Sequence, residues 1–305
     1  MRLCIAATPS VAVPTLDALL ASSHQIVSVI TRPDAPAGRG RELKSSAVSD
    51  WATSNGVELH KPESNEEISH LVAQCDLVIT IGFGVLLPLS VLNIPKHGFI
   101  NLHFSLLPRW RGAAPVQRAL EAGDRTTGVT VFKLDAGMDT GPIYTSMPFD
   151  ISETINTPEL LADLSALGVQ AVLDAISLIE IGESPREQSS EGATRANKLS
   201  SDEAQIDWSE NSLAIINKVR AFHPNPGAWS TFREAKIKIE AARVSDMTLL
   251  PGEIALRGKS VLVGTGNGAI ELVSMKAAGK SSMSAQDWAN GQHLLANEKF
   301  EQLNG

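Results

Sequence analysis

Residues 76–104 read DLVITIGFGVLLPLSVLNIPKHGFINLHF. The segment holds two apolar runs, DLVITIGF at 76–83 and GFINLHF at 98–104. Both are short and largely apolar, and the first is rich in β-branched residues, as expected of strands buried on both faces. Toward the N-terminus, RLCIAA and IVSVIT read the same way, and VELHKP is a weaker strand. Helical spacing separates them: TLDALLASS, SDWATSNG closing at Gly56, and NEEISHLVAQC opened by Asn65 as its cap. Strands alternating with helices predict an α/β fold, a Rossmann-like, doubly wound and mostly parallel sheet. Ligands bind such sheets beyond the carboxyl ends of the strands.

Toward the C-terminus, GVTVFKLD and GPIYTSMPFDI form a strand pair around the turn AGMDTG. A long helix is expected over 157–181, and the polar stretch 182–205 reads as an interdomain linker. A short helix near 212–222 precedes five short strands, AWSTF, KIKIEAARV, GEIALR, SVLVGT and AIELVSMKA. Short strands punctuated by Gly turns predict a small OB-like β-barrel. SAQDWANGQHLL closes it as a helix. The expected boundaries are 1–184 for the first domain, 185–203 for the linker and 204–305 for the barrel domain.

Composition fits a globular protein of 305 residues, 43% hydrophobic and 20% charged. A net charge of −8 leaves only a local basic patch for any polyanion. Cys4 and Cys75 sit in or beside apolar runs and read as reduced core cysteines. The N-terminus lacks the apolar stretch of a signal peptide, and no apolar segment is expected to cross a membrane. No Cys/His cluster has metal-ligand spacing. AATPSVAVP, after the first strand, lacks the Gly pattern of a dinucleotide site.

The chemistry concentrates in INLHFSLLPRWRGAAP, residues 100–115. Residues alternate sides along a strand, so Asn101 and His103 face the same way. An amide beside an imidazole can hold a carbonyl oxygen as it becomes an oxyanion, or can satisfy backbone groups at the strand end. In the following turn, Asp139 could orient His103 and relay a proton, or could form an Asx turn closing the hairpin. Arg109 and Arg111 either bind an anion or are solvated. The basic loop TRPDAPAGRGRELK, with Arg39, Arg41 and Lys44, suits contact with phosphates or is a solvated surface loop.

Together INLHFSLLPRWRGAAPVQRAL, KLDAGMDTGPI, PDAPAGRGRELK, LSSDEAQIDWS and RAFHPNPGAW resemble the folate-dependent formyltransferases, most closely the methionyl-tRNA branch, over nearly the whole chain. The resemblance implies transfer of a formyl group from 10-formyltetrahydrofolate to the methionine amino group of initiator tRNA, without a metal. It implies Asn101, His103 and Asp139 as catalytic residues. Ser105, Leu106, Leu107 and Pro108 would line the folate site, with the pterin near 81–87. Arg39, Arg41 and Lys44 would meet the tRNA acceptor end. Lys218, Arg220, Lys236 and Lys238 are charge-based candidates for the tRNA body. The expected setting is a cytoplasmic monomer. Ala7, where the family has Gly, and Phe104, where it has a small residue or Pro, depart from the pattern. Alternatives are a formyltransferase acting on a sugar-nucleotide amine, a non-catalytic folate- or RNA-binding protein, and a folate hydrolase.

Overall fold

The computed structural model describes residues 1–37, 42–295 and 297–301. Two compact units emerge. The first comprises Met1–Pro115, Thr126–Asp150 and Leu161–Ala196; the second comprises Val116–Arg125, Ile151–Leu160 and the chain from Asn197 onward.

In chain order the elements begin β1 (Arg2–Ala7), α1 (Val13–Leu20), β2 (Gln25–Ile30), β3 (Ala35–Ala37), β4 (Glu42–Lys44), α2 (Ala47–Asn55), β5 (Leu59–His60) and α3 (Asn65–Val72). Then follow β6 (Leu77–Ile81), α4 (Leu89–Leu92), β7 (Phe99–His103), β8 (Arg111–Gly112), α5 (Pro115–Glu121), β9 (Thr126–Lys133), β10 (Ile143–Asp150), α6 (Thr157–Glu180) and β11 (Arg195–Ala196).

The seven-stranded sheet runs β10-β9-β7-β6-β1-β2-β5. Its five strands from β7 to β5 are parallel, while β9 and β10 run antiparallel to their neighbours. Strand order reverses between β1 and β6, which puts the ligand crevice beyond their carboxyl ends. Every residue of β6 is buried, which is why its sequence is a continuous apolar run rather than an alternating one. Cys4 and Cys75 are buried, free thiols.

Three local expectations change. The cap of α3 is Ser64, one residue earlier than Asn65: its hydroxyl accepts from the Glu67 N–H, and Glu67 accepts from the Glu63 N–H. Both sides of the helix start are therefore satisfied by neighbours in sequence. The α6 helix, 24 residues, is long and apolar enough to cross a membrane by length and composition. Its apolar stripe, including Leu164, Val172 and Ile176, is instead buried within the protein. The polar stretch after α6 is bound to the first unit: Arg186 and Ile143 exchange backbone hydrogen bonds at 2.7 and 2.8 Å, and β11 pairs with β8.

The second unit contains α7 (Ser212–Phe222), β12 (Trp229–Phe232), β13 (Ala235–Ser245), β14 (Ile254–Arg257), β15 (Ser260–Thr265), β16 (Gly268–Ala277), β17 (Met283–Ser284) and α8 (Ala285–Gln292). Its antiparallel half-barrel sheet runs β12-β13-β16-β15-β14, with β17 on β16. Register shifts near Ala241 bend the long β13, the usual way such a sheet curls. Trp208, Phe232, Trp288 and Phe300 fill the interior, their ring centroids 5.2–5.8 Å apart.

Candidate active site

Asn101 and His103 end β7 on one face, while the intervening Leu102 turns the other way and meets α6 at Gly168. Thr80, paired with Asn101 from β6, donates from Oγ1 to Asn101 Oδ1 at 2.8 Å and shares that proton with the Ile100 carbonyl at 3.1 Å. With Oδ1 engaged against the sheet, the Asn101 NH2 is left to donate outward.

His103 is 6% exposed. Its Nε2 lies 2.9 Å from the Trp110 carbonyl. A carbonyl only accepts, so Nε2 carries the proton and Nδ1 is the chemically free nitrogen. Nδ1 lies 3.8 Å from Asp139 Oδ2. Burial pushes the imidazole pKa down, while the Asp139 charge and the Trp110 carbonyl pull it back up. Phe132 stands edge-on to the ring, 6.4 Å away at 81°.

The carboxylate reaches His103 because the turn after β9 is tightly folded. Its Asx role belongs to Asp135, which accepts from the Gly137 N–H at 3.0 Å and the Thr140 hydroxyl at 2.8 Å. Asp139 is thereby free for other work, and its Oδ2 accepts from the Gly112 N–H at 2.7 Å. A Cβ on Gly141 would lie 1.8 Å from the Lys133 carbonyl, so only glycine lets the turn close onto β9. Asp139 and Trp110 adopt φ of +55° and +64°. Two non-glycine residues in the left-handed region, each costing roughly 1–2 kcal/mol, flank the same imidazole.

The loop Ser105–Pro108 is held by Thr130, whose hydroxyl donates to the Ser105 carbonyl at 2.7 Å and accepts from the Leu107 N–H at 3.1 Å. Ser105 is fully buried and donates to the Arg109 carbonyl; Leu107 packs with Phe132 and Ile143. Leu106 and Pro108 are half-buried and keep accessible surface. Phe104 is buried. A cavity of about 400 Å³ opens beyond the ends of β2, β5 and β6, lined by Arg32, Pro33, Pro62, Ser64, Phe83 and Val85 among others.

Of the basic candidates, Lys44 is exposed on the β3–β4 hairpin, while Arg39 and Arg41 lie outside the described residues. Arg111 is not a solvated charge: its guanidinium donates to Gln188 Oε1 at 2.8 Å. In the second unit, Arg220 is 9% exposed and donates to the Ser152 carbonyl, and Lys218 donates to the Gln205 carbonyl and lies 3.7 Å from Glu210. Charge in the sequence could not separate these two from surface cations. Lys236 and Lys238 do lie on the outer face of β13, with Lys276 opposite Lys238 and Lys236 Nζ 3.6 Å above the Trp229 ring. Among the described residues no cluster of His, Cys, Asp and Glu is arranged to hold a metal. Thr80, Thr130 and Gln188 escaped the sequence reading. The two threonines left a faint signal, a hydroxyl inside an apolar strand; Gln188 left none.

A family model described as formyl transferase matches residues 1–176, and one for the formyl transferase C-terminal domain matches 198–293. A methionyl-tRNA formyltransferase of Arthrobacter sp. (strain FB24) is 43% identical, covering 99% of this chain and 100% of that one. One from Salinispora tropica is 41% identical over 98% of this chain and 99% of its own. In fold, an N-formyltransferase from Helicobacter canadensis, solved with folinic acid and dTDP-3-aminofucose, superposes at a TM-score of 0.70 with 19% identity, covering 89% of this chain and 98% of that one. HypX from Aquifex aeolicus, solved with tetrahydrofolic acid, gives 0.66 with 20% identity, over 98% of this chain and 48% of its own. With both domain models matched and full-length relatives above two-fifths identity, the chain belongs to the formyl transferase family.

Proposed function

We propose that this enzyme transfers the formyl group of 10-formyltetrahydrofolate to the methionine amino group of initiator Met-tRNA. The supporting observation is the outward-facing Asn101 NH2 beside the His103 Nδ1, with Asp139 behind it. The donor supplies a formyl carbon already bonded to a nitrogen that can leave. The acceptor amine attacks that carbon; a new C–N bond forms, and the bond to the folate nitrogen breaks.

Asn101 donates to the oxygen on which negative charge develops. Such a donor is worth roughly a hundred- to a thousandfold in rate. The neutral His103 takes the amine proton on Nδ1, directly or through one water, and the resulting imidazolium faces the Asp139 carboxylate. The proton then passes to the departing nitrogen. Leu106 and Pro108 wall the donor site by their surface, and Ser105 and Leu107 by holding the bend. The cavity beside Phe83 and Val85 suits the flat, apolar part of the donor, with Arg32 available to a carboxylate.

Arg39, Arg41 and Lys44 contact the acceptor end of the tRNA. Lys236, Lys238 and Lys276, with Trp229, contact its body through phosphate and stacking interactions. The functional boundaries under this reading are 1–184, 185–203 and 204–305. The presence of the C-terminal formyl transferase domain favours a tRNA acceptor over a sugar-nucleotide amine. An acceptor that is a charged tRNA implies work in the cytoplasm.

The test is incubation of the protein with 10-formyltetrahydrofolate and Met-charged initiator tRNA, scoring formyl-methionine, with His103→Ala as control. Formylation abolished in the variant supports the reaction and the site together. Free formate without formyl-methionine would point to hydrolysis, and formylation of an amino sugar alone would move the acceptor.

A further inference from the structure

The polar stretch after α6 carries one residue whose hydrogen bonds are unusually complete. Gln188 is half-buried between exposed Glu187 and Ser189. Its Nε2 donates to the Asp139 carbonyl at 3.0 Å and to the Gly141 carbonyl at 2.6 Å. Its Oε1 accepts from Arg111 Nη2 at 2.8 Å and Nε at 3.3 Å. Both amide protons and both oxygen lone pairs are therefore used. A single NH2 group thus holds two carbonyls of the turn, two residues apart, and Asp139 between strap and site has a left-handed φ of +55°.

The other side of the same turn is held by the same strand. Asp139 Oδ2 accepts from Gly112, the residue after Arg111. Arg111 N in turn donates to the Thr194 carbonyl at 2.9 Å, and Ala114 N donates to the Ala196 carbonyl at 3.1 Å. The segment from Arg186 to Ala196 is thus a strap fastened at both ends, with Gln188 as its contact to the turn. A left-handed, non-glycine conformation persists only where its surroundings over-determine it. Here the backbone is pinned from one side and the carboxylate from the other.

We infer that Gln188 is a positioning residue for the reaction, fixing the Asp139 turn so that its carboxylate stays against Gly112 and His103. This rests on the proposed role of Asp139, but it can be tested separately. A side chain that merely fastened the strap would affect folding and nothing else. A positioning residue must also change what His103 experiences, because Asp139 is the charged group that holds the buried imidazole's pKa up.

The experiment uses the full chain with Gln188→Glu and Gln188→Ala. The Glu variant keeps the shape and the Arg111 contact but loses both donors. The expected result is a fall in kcat of about ten- to a hundredfold with KM within about twofold, since small misplacements of reacting groups cost this much. In the Ala variant, which adds no charge near the site, the His103 imidazole, followed by NMR, should titrate at lower pH than in the wild type. A His103 titration unchanged in the Ala variant overturns the inference, whatever happens to activity. A kcat within twofold of wild type in both also overturns it. If the wild type fails to formylate Met-tRNA, the proposed function fails, and the His103 titration still decides the role of Gln188.

Discussion

Thr80 Oγ1, on β6, donates to Asn101 Oδ1, on β7, across 2.8 Å. A primary amide has two orientations of similar shape and opposite polarity, and this contact selects the one that presents NH2 to the open end of the strand. Replacing Thr80 by Val removes the selection without removing the amide. The expected loss in kcat is about three- to tenfold, against roughly a hundred- to a thousandfold for Asn101→Ala. Thr80→Ser should restore the rate. A Val variant as slow as Asn101→Ala would show that Thr80 does more than orient.

The His103 pKa is lowered by burial and partly restored by Asp139. Acting as a base, His103 must be neutral, so the acidic limb of the pH–rate profile should fall below about 6.5, the ordinary value for histidine. Asp139→Asn removes the charge that raises the pKa, so the limb should move to still lower pH while the maximal rate drops. A limb moving toward higher pH would contradict this electrostatic assignment. The sign for stability is related. A histidine depressed in the fold stabilises the protein above its unfolded pKa, and that contribution is lost as pH falls.

Gly112 has φ of +129°, and a Cβ there would sit 2.6 Å from the Ala196 carbonyl. Gly112→Ala must push β11 off β8 or strain the backbone. Destabilisation of about 1–3 kcal/mol is expected, together with reduced activity, because the Gly112 N–H also holds Asp139. Thermal unfolding and kinetics on the same preparation check both parts.

In the second unit, Trp288 is 2% exposed and stacks on Phe300 at 5.8 Å. Trp288→Ala should destabilise that unit by about 3–5 kcal/mol. Trp208→Phe, which keeps most of the volume and loses the indole bond to Ser230, should cost far less. Denaturant unfolding of the full chain distinguishes the two.

Lys236, Lys238 and Lys276 share the outer face of the half-barrel. If they meet phosphates, neutralising any one should weaken tRNA binding and reduce the slope of log K against log salt by roughly 0.7–0.9. Lys218→Ala and Arg220→Ala serve as contrasts. Both side chains are occupied within the unit, so an effect on stability rather than on the salt slope is expected.

The amino-acid order alone determined the fold class, because hydrophobic period is a local property. The β6 run is almost wholly apolar since both faces of a central parallel strand are covered, and the short, Gly-punctuated strands after α7 mark an antiparallel sheet. It also placed Asn101 and His103 on one face, since strand alternation needs no tertiary information.

What the sequence could not determine is which partner each polar group takes across long separations. Asp135 and Asp139 stand in the same turn, and only the closed turn shows that Asp135 makes the Asx bonds while Asp139 is left for Gly112 and His103. Arg220 and Lys238 look alike as charges, and only packing separates a buried cation from a surface one. Gln188 lies in a stretch with no hydrophobic period, yet its amide joins residues 47 to 77 positions away. Periodicity reports burial of apolar surface. It carries no record of a polar segment held by hydrogen bonds, so the strap that secures the site exists only in three dimensions.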